Sequence, residues 1–430
     1  MKKNRKGINR IVPYKVLLET LGNTYELADK ILPNNVLSSL KIGVQKIQNV
    51  LSGYMEKARD GVPIVGYHFS LPSEFLNCYD IVPVCIEGTS YFLSALLLHG
   101  VEKYYDIMAN YGHPFHTCTS QKGTMGMTLE DLFQFDAILA PTSPCDCTIA
   151  SYPFFKEIKN VPLYMLDMPY IHNEKSYKYY ANQLRLGFEK LGNSIGQKPD
   201  YDRLKEAIEI ENKVNQVKLD IFELIKASPC PIDNMFNAIS AGASIFISGT
   251  QENLEYYQEI YKIVKERYKK GEYYGGKEER IRSIWPYMIT FFSVDLLEWL
   301  NRNLGLSVLF DIFNYNFADP VNTKSDLDTL YYDMARKSYQ WPMVKQSTQF
   351  YEPFIEDCVK MAKDFNADCF IYTQSIACKQ FGSIPTLLRE ALKEEVGIPT
   401  LLIEFDAGDA RMTSIKTFKQ KIEMFANTLL

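Results

Sequence analysis

The sequence lacks a long apolar run. Its best, Tyr91 to Leu98, falls far short of the ~20 residues that cross a bilayer and reads as an internal helix. A glycine-rich phosphate loop is also missing: nothing matches G-x-x-x-x-G-K-S/T, and no G-x-G-x-x-G opens a helix after a strand. ATP hydrolysis and dinucleotide binding must therefore come from elsewhere. There is no basic excess, and a net charge of -5 leaves nothing to displace counterions from phosphates, which excludes broad capture of nucleic acid. No apolar segment adjoins the basic start Lys2-Lys3-Asn4-Arg5-Lys6, so no secretory signal is read and a soluble, cytoplasmic protein is expected. In that reducing compartment nine cysteines do not build a disulfide frame, and their odd number agrees. Short-period repeats and low-complexity tracts are absent as well.

What is present is a globular composition, 46% hydrophobic and 23% charged, on a 430-residue chain too long for one ordinary core. We expect an α/β protein with two Rossmann- or flavodoxin-like parallel-sheet domains. Residues 1–60 read as an N-terminal helical segment, with an amphipathic stretch from Val36 to Met55. Residues 61–174 read as a first α/β domain: strands at Pro63 to Gly66, Ile81 to Ile86, Ala137 to Ala140 and Pro162 to Leu166, and a helix from about Pro72. Residues 175–272 form a helical section, in which Leu204, Ile208, Ile210, Val214, Val217 and Ile221 share a helical face. The glycine-rich linker Gly271 to Lys277 opens a second α/β domain at 273–430, with strands at Ile281 to Trp285, Ser307 to Phe313, Cys369 to Tyr372 and Thr400 to Phe405. The chain closes on a helix through Ile415, Phe418, Ile422, Phe425 and Leu429.

Three distant cysteines, Cys118, Cys145 and Cys378, each fall where a strand-like segment has just ended. In an open parallel sheet that is where ligands sit, so these thiols can converge on one object. Cys145 follows the turn cluster Pro141-Thr142-Ser143-Pro144, Cys378 follows Thr373-Gln374-Ser375, and Cys118 follows the breaker-rich Tyr111-Gly112-His113-Pro114. The only close pair, Cys145-x-Cys147, has the wrong spacing for a zinc finger. Three soft ligands without a fourth suit a [4Fe-4S] cluster with one open iron; plain structural thiols are the other reading. Cys78, Cys85, Cys358 and Cys369 read as packing, Cys147 as a spare or alternative ligand, and Cys230 as a loop residue without a visible partner.

Among other groups, Lys122-Gly123-Thr124-Met125-Gly126-Met127 either offers backbone amides to an anion or is a plain helix start. Glu74 either interacts with a helix dipole or serves as a catalytic carboxylate near the substrate. His68, His113 and His116 are expected to be satisfied structurally rather than to carry protons.

Several segments together resemble the family of 2-hydroxyacyl-CoA dehydratase and benzoyl-CoA reductase subunits. They are Leu71-Pro72-Ser73-Glu74-Phe75 before the strand Ile81 to Val84, Cys118-x-x-x-Lys122, Asp136 to Thr142 running into Cys145-Asp146, Val161-Pro162-Leu163-Tyr164, and a block from Cys378 through Gly397-Ile398-Pro399, Glu404, Asp406 and Arg411. The resemblance implies that Cys118, Cys145 and Cys378 hold a [4Fe-4S] cluster, and that Glu74 occupies the family's early acidic position. It further implies one-electron, ketyl-radical chemistry on an acyl-CoA thioester, a homologous partner subunit, and a separate ATP-hydrolysing iron-sulfur activator. Two departures stand out. Cys147-Thr148-Ile149-Ala150 replaces a basic or glycine-containing continuation after Asp146, and Ile281-Arg282-Ser283-Ile284-Trp285-Pro286 replaces a glycine-rich turn. They leave room for the branch that looks like double-cubane [8Fe-9S] cluster proteins, which implies a homodimer reducing small molecules, and for a non-catalytic, cluster-binding partner subunit.

Overall fold

Eight short strands build two parallel four-stranded sheets in a computed structural model, which describes residues 10–31, 38–97, 101–114, 116–274, 278–287, 289–293, 295–315 and 318–430. The first sheet has β1 (Ile64–Tyr67), β2 (Val82–Cys85), β3 (Ala137–Pro141) and β4 (Leu163–Leu166) in the order β2-β1-β3-β4. The second has β5 (Ile281–Ile284), β6 (Leu306–Phe310), β7 (Cys369–Ser375) and β8 (Thr400–Phe405) in the order β6-β5-β7-β8. Relative to its own first strand, each sheet has the same order. The central strands of the first sheet, β1 and β3, are continuous buried apolar runs, as a sheet covered by helices on both faces requires, whereas β5 carries the buried Arg282 and Ser283. In each sheet the chain steps outward from the first strand, then crosses back to its other side. The crevice at that reversal, outside the carboxyl ends of β1 and β3 or of β5 and β7, is where such sheets bind ligands.

Two expectations from the sequence fail here. The segment after Pro72 is a six-residue 3-10 turn, Ser73–Cys78, because nearly all its side chains are buried and no solvent face remains for an amphipathic helix. Cys118 follows no strand: it lies after the helix Glu102–Asn110 and begins the helix Thr119–Leu129. The breakers at Gly112 (φ 84°) and Pro114 mark a helix-to-helix turn instead.

Between the sheets in sequence run four helices, Glu174–Ile195, Tyr201–Ile225, Met235–Phe246 and Gln251–Lys270. N-terminal helices span Val12–Ile31 and Ser38–Arg59, and the second packs on Met235–Phe246 at Gly43, where a Cβ would overlap Ile239. One apolar cluster runs from Val82 and Ile138 of the first sheet to Ile281 and Phe370 of the second. The helix Leu327–Gln340 follows β6 in sequence yet packs on Glu174–Ile195, burying Leu330, Tyr331 and Met334 with residues of the first sheet. No described helix is long and apolar enough to cross a membrane. Lys2 to Lys6, Val36, Leu98 and Gly275 to Lys277 lie outside the described residues.

Candidate active site

Cys145 sits in the loop after β3 and caps the helix Asp146–Lys159, while Cys378 sits just after β7 and caps the short turn Lys379–Gly382. They occupy equivalent places in the two sheets. Cys118, as N-cap of the helix Thr119–Leu129, joins them from a third segment. All three thiols are free and half-buried. Burial pushes the Cys145 thiol well above its ordinary pKa, and charge on Cys147, Cys118 and Cys378 pushes it further. Burial takes Cys378 up to about 11, with a contribution from Cys118. The three sulfurs thus lie within electrostatic reach of one another, although among the described residues no three Cys, His, Asp or Glu side chains close around a single metal ion. Tyr287 donates to Cys378 Sγ at 3.0 Å, and Tyr91 lies 3.8 Å from Cys118 Sγ while stacking on Phe291. Cys147 flanks the group, its thiol raised to about 12 by burial and by the Cys118 charge.

What holds Cys118 in place is a long-range lock. Thr119 Oγ1 donates to the buried Asp406 at 2.8 Å, and Asp406 also accepts the backbone N–H groups of Gly408 and Asp409 at 2.9 Å. The C-terminal Asp406 noted in the sequence therefore ties the second sheet's exit loop to the helix that carries Cys118.

Behind Cys145 lies a buried polar relay that sequence reading missed. Thr148 Oγ1 lies 3.3 Å from Cys145 Sγ and 2.8 Å from His68 Nε2. His68 Nδ1 lies 2.6 Å from Ser70 Oγ, which itself donates to Ser143 O at 2.8 Å, and 3.1 Å from the Ser70 backbone nitrogen. Burial lowers the His68 pKa to about 3, so the ring is neutral, and its structural satisfaction is as expected. Glu87, in the first turn of the helix Ile86–Leu97, accepts from Tyr152 Oη at 2.6 Å and Gln121 Nε2 at 3.3 Å, and lies 3.6 Å from His68 Nε2. Burial drives its carboxyl up to about 7, against the pull of Tyr152. A carboxylate placed one residue into the helix that follows β2, at the carboxyl end of the sheet, was the available signal.

Glu74 stands elsewhere. It is fully buried, pairs with Lys337 at 2.5 Å, accepts from Ser248 Oγ at 3.1 Å, and is absent from the walls of the pocket described next. Burial raises its pKa while Lys337 pulls it back. His113 is half-buried and His116 exposed.

A pocket of about 180 Å³ opens beside the thiols. Cys118, Cys145, Ser120, Gln121 and Glu87 line one end, and the helices Ile86–Leu97 and Met235–Phe246 form its long walls.

A family model described as "2-hydroxyglutaryl-CoA dehydratase, D-component" matches residues 69–429. The alpha subunit of (R)-2-hydroxyglutaryl-CoA dehydratase from Acidaminococcus fermentans is 21% identical over 299 residues, covering 67% of this chain and 59% of that protein. A benzoyl-CoA reductase subunit from Thauera aromatica is 21% identical over 347 residues, 73% of this chain and 77% of its own. The (R)-phenyllactyl-CoA dehydratase alpha subunit of Clostridium sporogenes is 21% identical over 304 residues, 67% and 69%. With the match covering most of the chain from the end of β1 onward, including all three thiol-bearing segments, this chain belongs to the 2-hydroxyglutaryl-CoA dehydratase D-component family.

Proposed function

We propose that this chain is the iron-sulfur subunit of a 2-hydroxyacyl-CoA dehydratase or related low-potential reductase, with Cys118, Cys145 and Cys378 as ligands of a [4Fe-4S] cluster. The observation that supports the reading is that three thiols from three chain segments lie within electrostatic reach of one another, and that two of them, Cys118 and Cys145, line a pocket. Neutral thiols crowded together in a half-buried place gain most from a soft cationic partner that takes their protons' place. When bound, such a cluster supplies one-electron chemistry to a thioester carbonyl at its open iron.

The chain's own residues then have separate tasks. Glu87, with its carboxyl poised near neutrality at the thiol end of the pocket, is the group that exchanges a proton with substrate. Tyr152 and Gln121 orient it, and Thr148 links the neutral His68 to Cys145. We assign Glu74 a positioning role: through Lys337 it clamps the Leu327–Gln340 helix to the first unit. The relatives are themselves named as subunits, which supports a multi-subunit enzyme, and the lack of a phosphate loop supports ATP hydrolysis by a separate activator.

Anaerobic purification with iron and sulfide analysis and EPR of the reduced protein tests this. About four irons per chain are expected, and Cys145→Ala should abolish or convert the signal while the circular dichroism spectrum is retained. An unchanged signal overturns the ligand assignment. A self-paired chain holding about eight irons per dimer in one shared cluster replaces the dehydratase reading with the double-cubane one.

A further inference from the structure

The pocket's walls speak to its substrate. From the thiol end it follows the helix Ile86–Leu97 from Glu87 to Ala95, a distance of about 12 Å at 1.5 Å per residue. Along that length Phe92, Ile239, Ile245 and Phe246 face it, and Ile47 and Val44 of the helix Ser38–Arg59 close the far end. Phe69, Phe313 and Trp341 also line it, Phe69 donating its N–H to Glu87 and accepting from Trp341 Nε1. Glu87, Gln121 and Ser120 stand at the thiol end, Ser73, Glu211, Lys218 and Ser244 also line the pocket, and most of the remaining wall is apolar.

Two more charged residues line the pocket, and both are engaged. Glu211 accepts from Gly249 N–H at 3.1 Å and Asn253 Nδ2 at 3.2 Å. Lys218, two turns further along the same helix, points its ammonium at Ser244 Oγ at 3.3 Å and over the Tyr257 ring at 5.2 Å, and it lies in the field of Asp311. An acyl group ending in a carboxylate would bring a third acid beside Glu87 and Glu211 against the Lys218 ammonium, and would lose its water to do so.

We infer that the pocket selects a CoA thioester whose acyl group is apolar and extended beyond a few carbons, and rejects one that ends in a carboxylate. This rests on the thioester reading above and adds the substrate class to it. Gly242 marks how the room is made: a Cβ there meets only Ile47 Cδ1 and Phe92 Cε2, both at 3.8 Å, so a larger side chain would project into the pocket.

The test is calorimetric binding of acetyl-, hexanoyl-, 3-phenylpropionyl- and glutaryl-CoA to the anaerobically purified chain, with iron measured on the same sample. Each buried methylene tightens binding by roughly fourfold. Hexanoyl- and 3-phenylpropionyl-CoA should therefore bind at least tenfold tighter than acetyl-CoA, and glutaryl-CoA no tighter than acetyl-CoA. Gly242→Leu should reduce the preference to threefold or less. Gly242→Ala should keep most of it, and thermal melts of both variants show whether the helix tolerates the change. Tightest binding of glutaryl-CoA, abolished by Lys218→Met, would overturn the inference in favour of an acidic acyl group. Iron present with no apolar preference overturns the inference alone, and an iron-free protein with the preference intact overturns the cluster reading alone. Failure of every thioester to bind overturns both.

Discussion

The two sheets share one strand order, yet their carboxyl ends are furnished differently. After the third strand each presents a cysteine, Cys145 in the first and Cys378 in the second. After the first strand the first sheet presents the neutral His68, wired to Thr148 and flanked by Glu87; the second presents Tyr287, which donates to Cys378 and stacks against Phe313 and Phe381. The first unit thus holds a buried polar network around a carboxyl raised to about 7, and the second supplies a thiol beside aromatic rings. Equivalent topology places equivalent sulfurs, while the side chains around them divide the labour.

Four sets of substitutions test that division, beginning with the largest effect. Cys145→Ala and Cys378→Ala should be equally damaging to cluster content, since both stand at matched positions; loss in one and retention in the other, measured as iron per chain, would undo the equivalence. Glu87→Gln should spare the cluster, lowering kcat by about 100- to 10,000-fold with the EPR signal retained. Its pH behaviour has a defined sign. The native carboxyl, raised from 4.5 to about 7, binds its proton more tightly in the fold than in the unfolded chain. The stability contributed is present below pH 4.5 and is lost as pH rises through about 7. Relative to the parent, Glu87→Gln should therefore gain roughly 3 kcal/mol in urea unfolding across that window.

Lys337→Met tests the joint between the units. Removing one partner strands the Glu74 carboxylate at zero exposure, at a cost of about 3–5 kcal/mol in unfolding free energy. Adding Glu74→Gln should restore most of it, and failure to do so would mean that the helix is held by its apolar face alone. The smallest contrast is between two tyrosines. Tyr152→Phe removes the donor to Glu87 and should shift the kinetic pKa upward, whereas Tyr287→Phe removes the donor to Cys378, costs about 1 kcal/mol, and leaves the pH profile in place.

Much of this molecule is readable locally. Strands such as Thr400–Phe405 were bounded correctly because an apolar run between breakers is a property of adjacent residues, and β7 exceeds its expected end only by Thr373-Gln374-Ser375, polar residues that pair with β8. Cys145 and Cys378 stood out for the same reason, each following a run and a turn. Cys118 was singled out on a wrong premise, since glycine and proline mark the end of a helix as well as of a strand. Glu87 escaped notice because a glutamate in a first helical turn is ordinary, and only burial against Tyr152 and Gln121 makes it otherwise.

By itself, then, the sequence determined the α/β alternation, the helical middle, the segments that carry the thiols and the family pattern, because each is written in neighbouring residues with a period of two or 3.6. Only the tertiary structure decided that the three thiols come within electrostatic reach of one another, that Thr119 finds Asp406 across 287 positions of chain, and that Glu74 closes on Lys337 instead of facing the pocket. Those pairings are chosen by burial, which forces each polar group taken from water to find a partner from whatever segment the packing brings alongside.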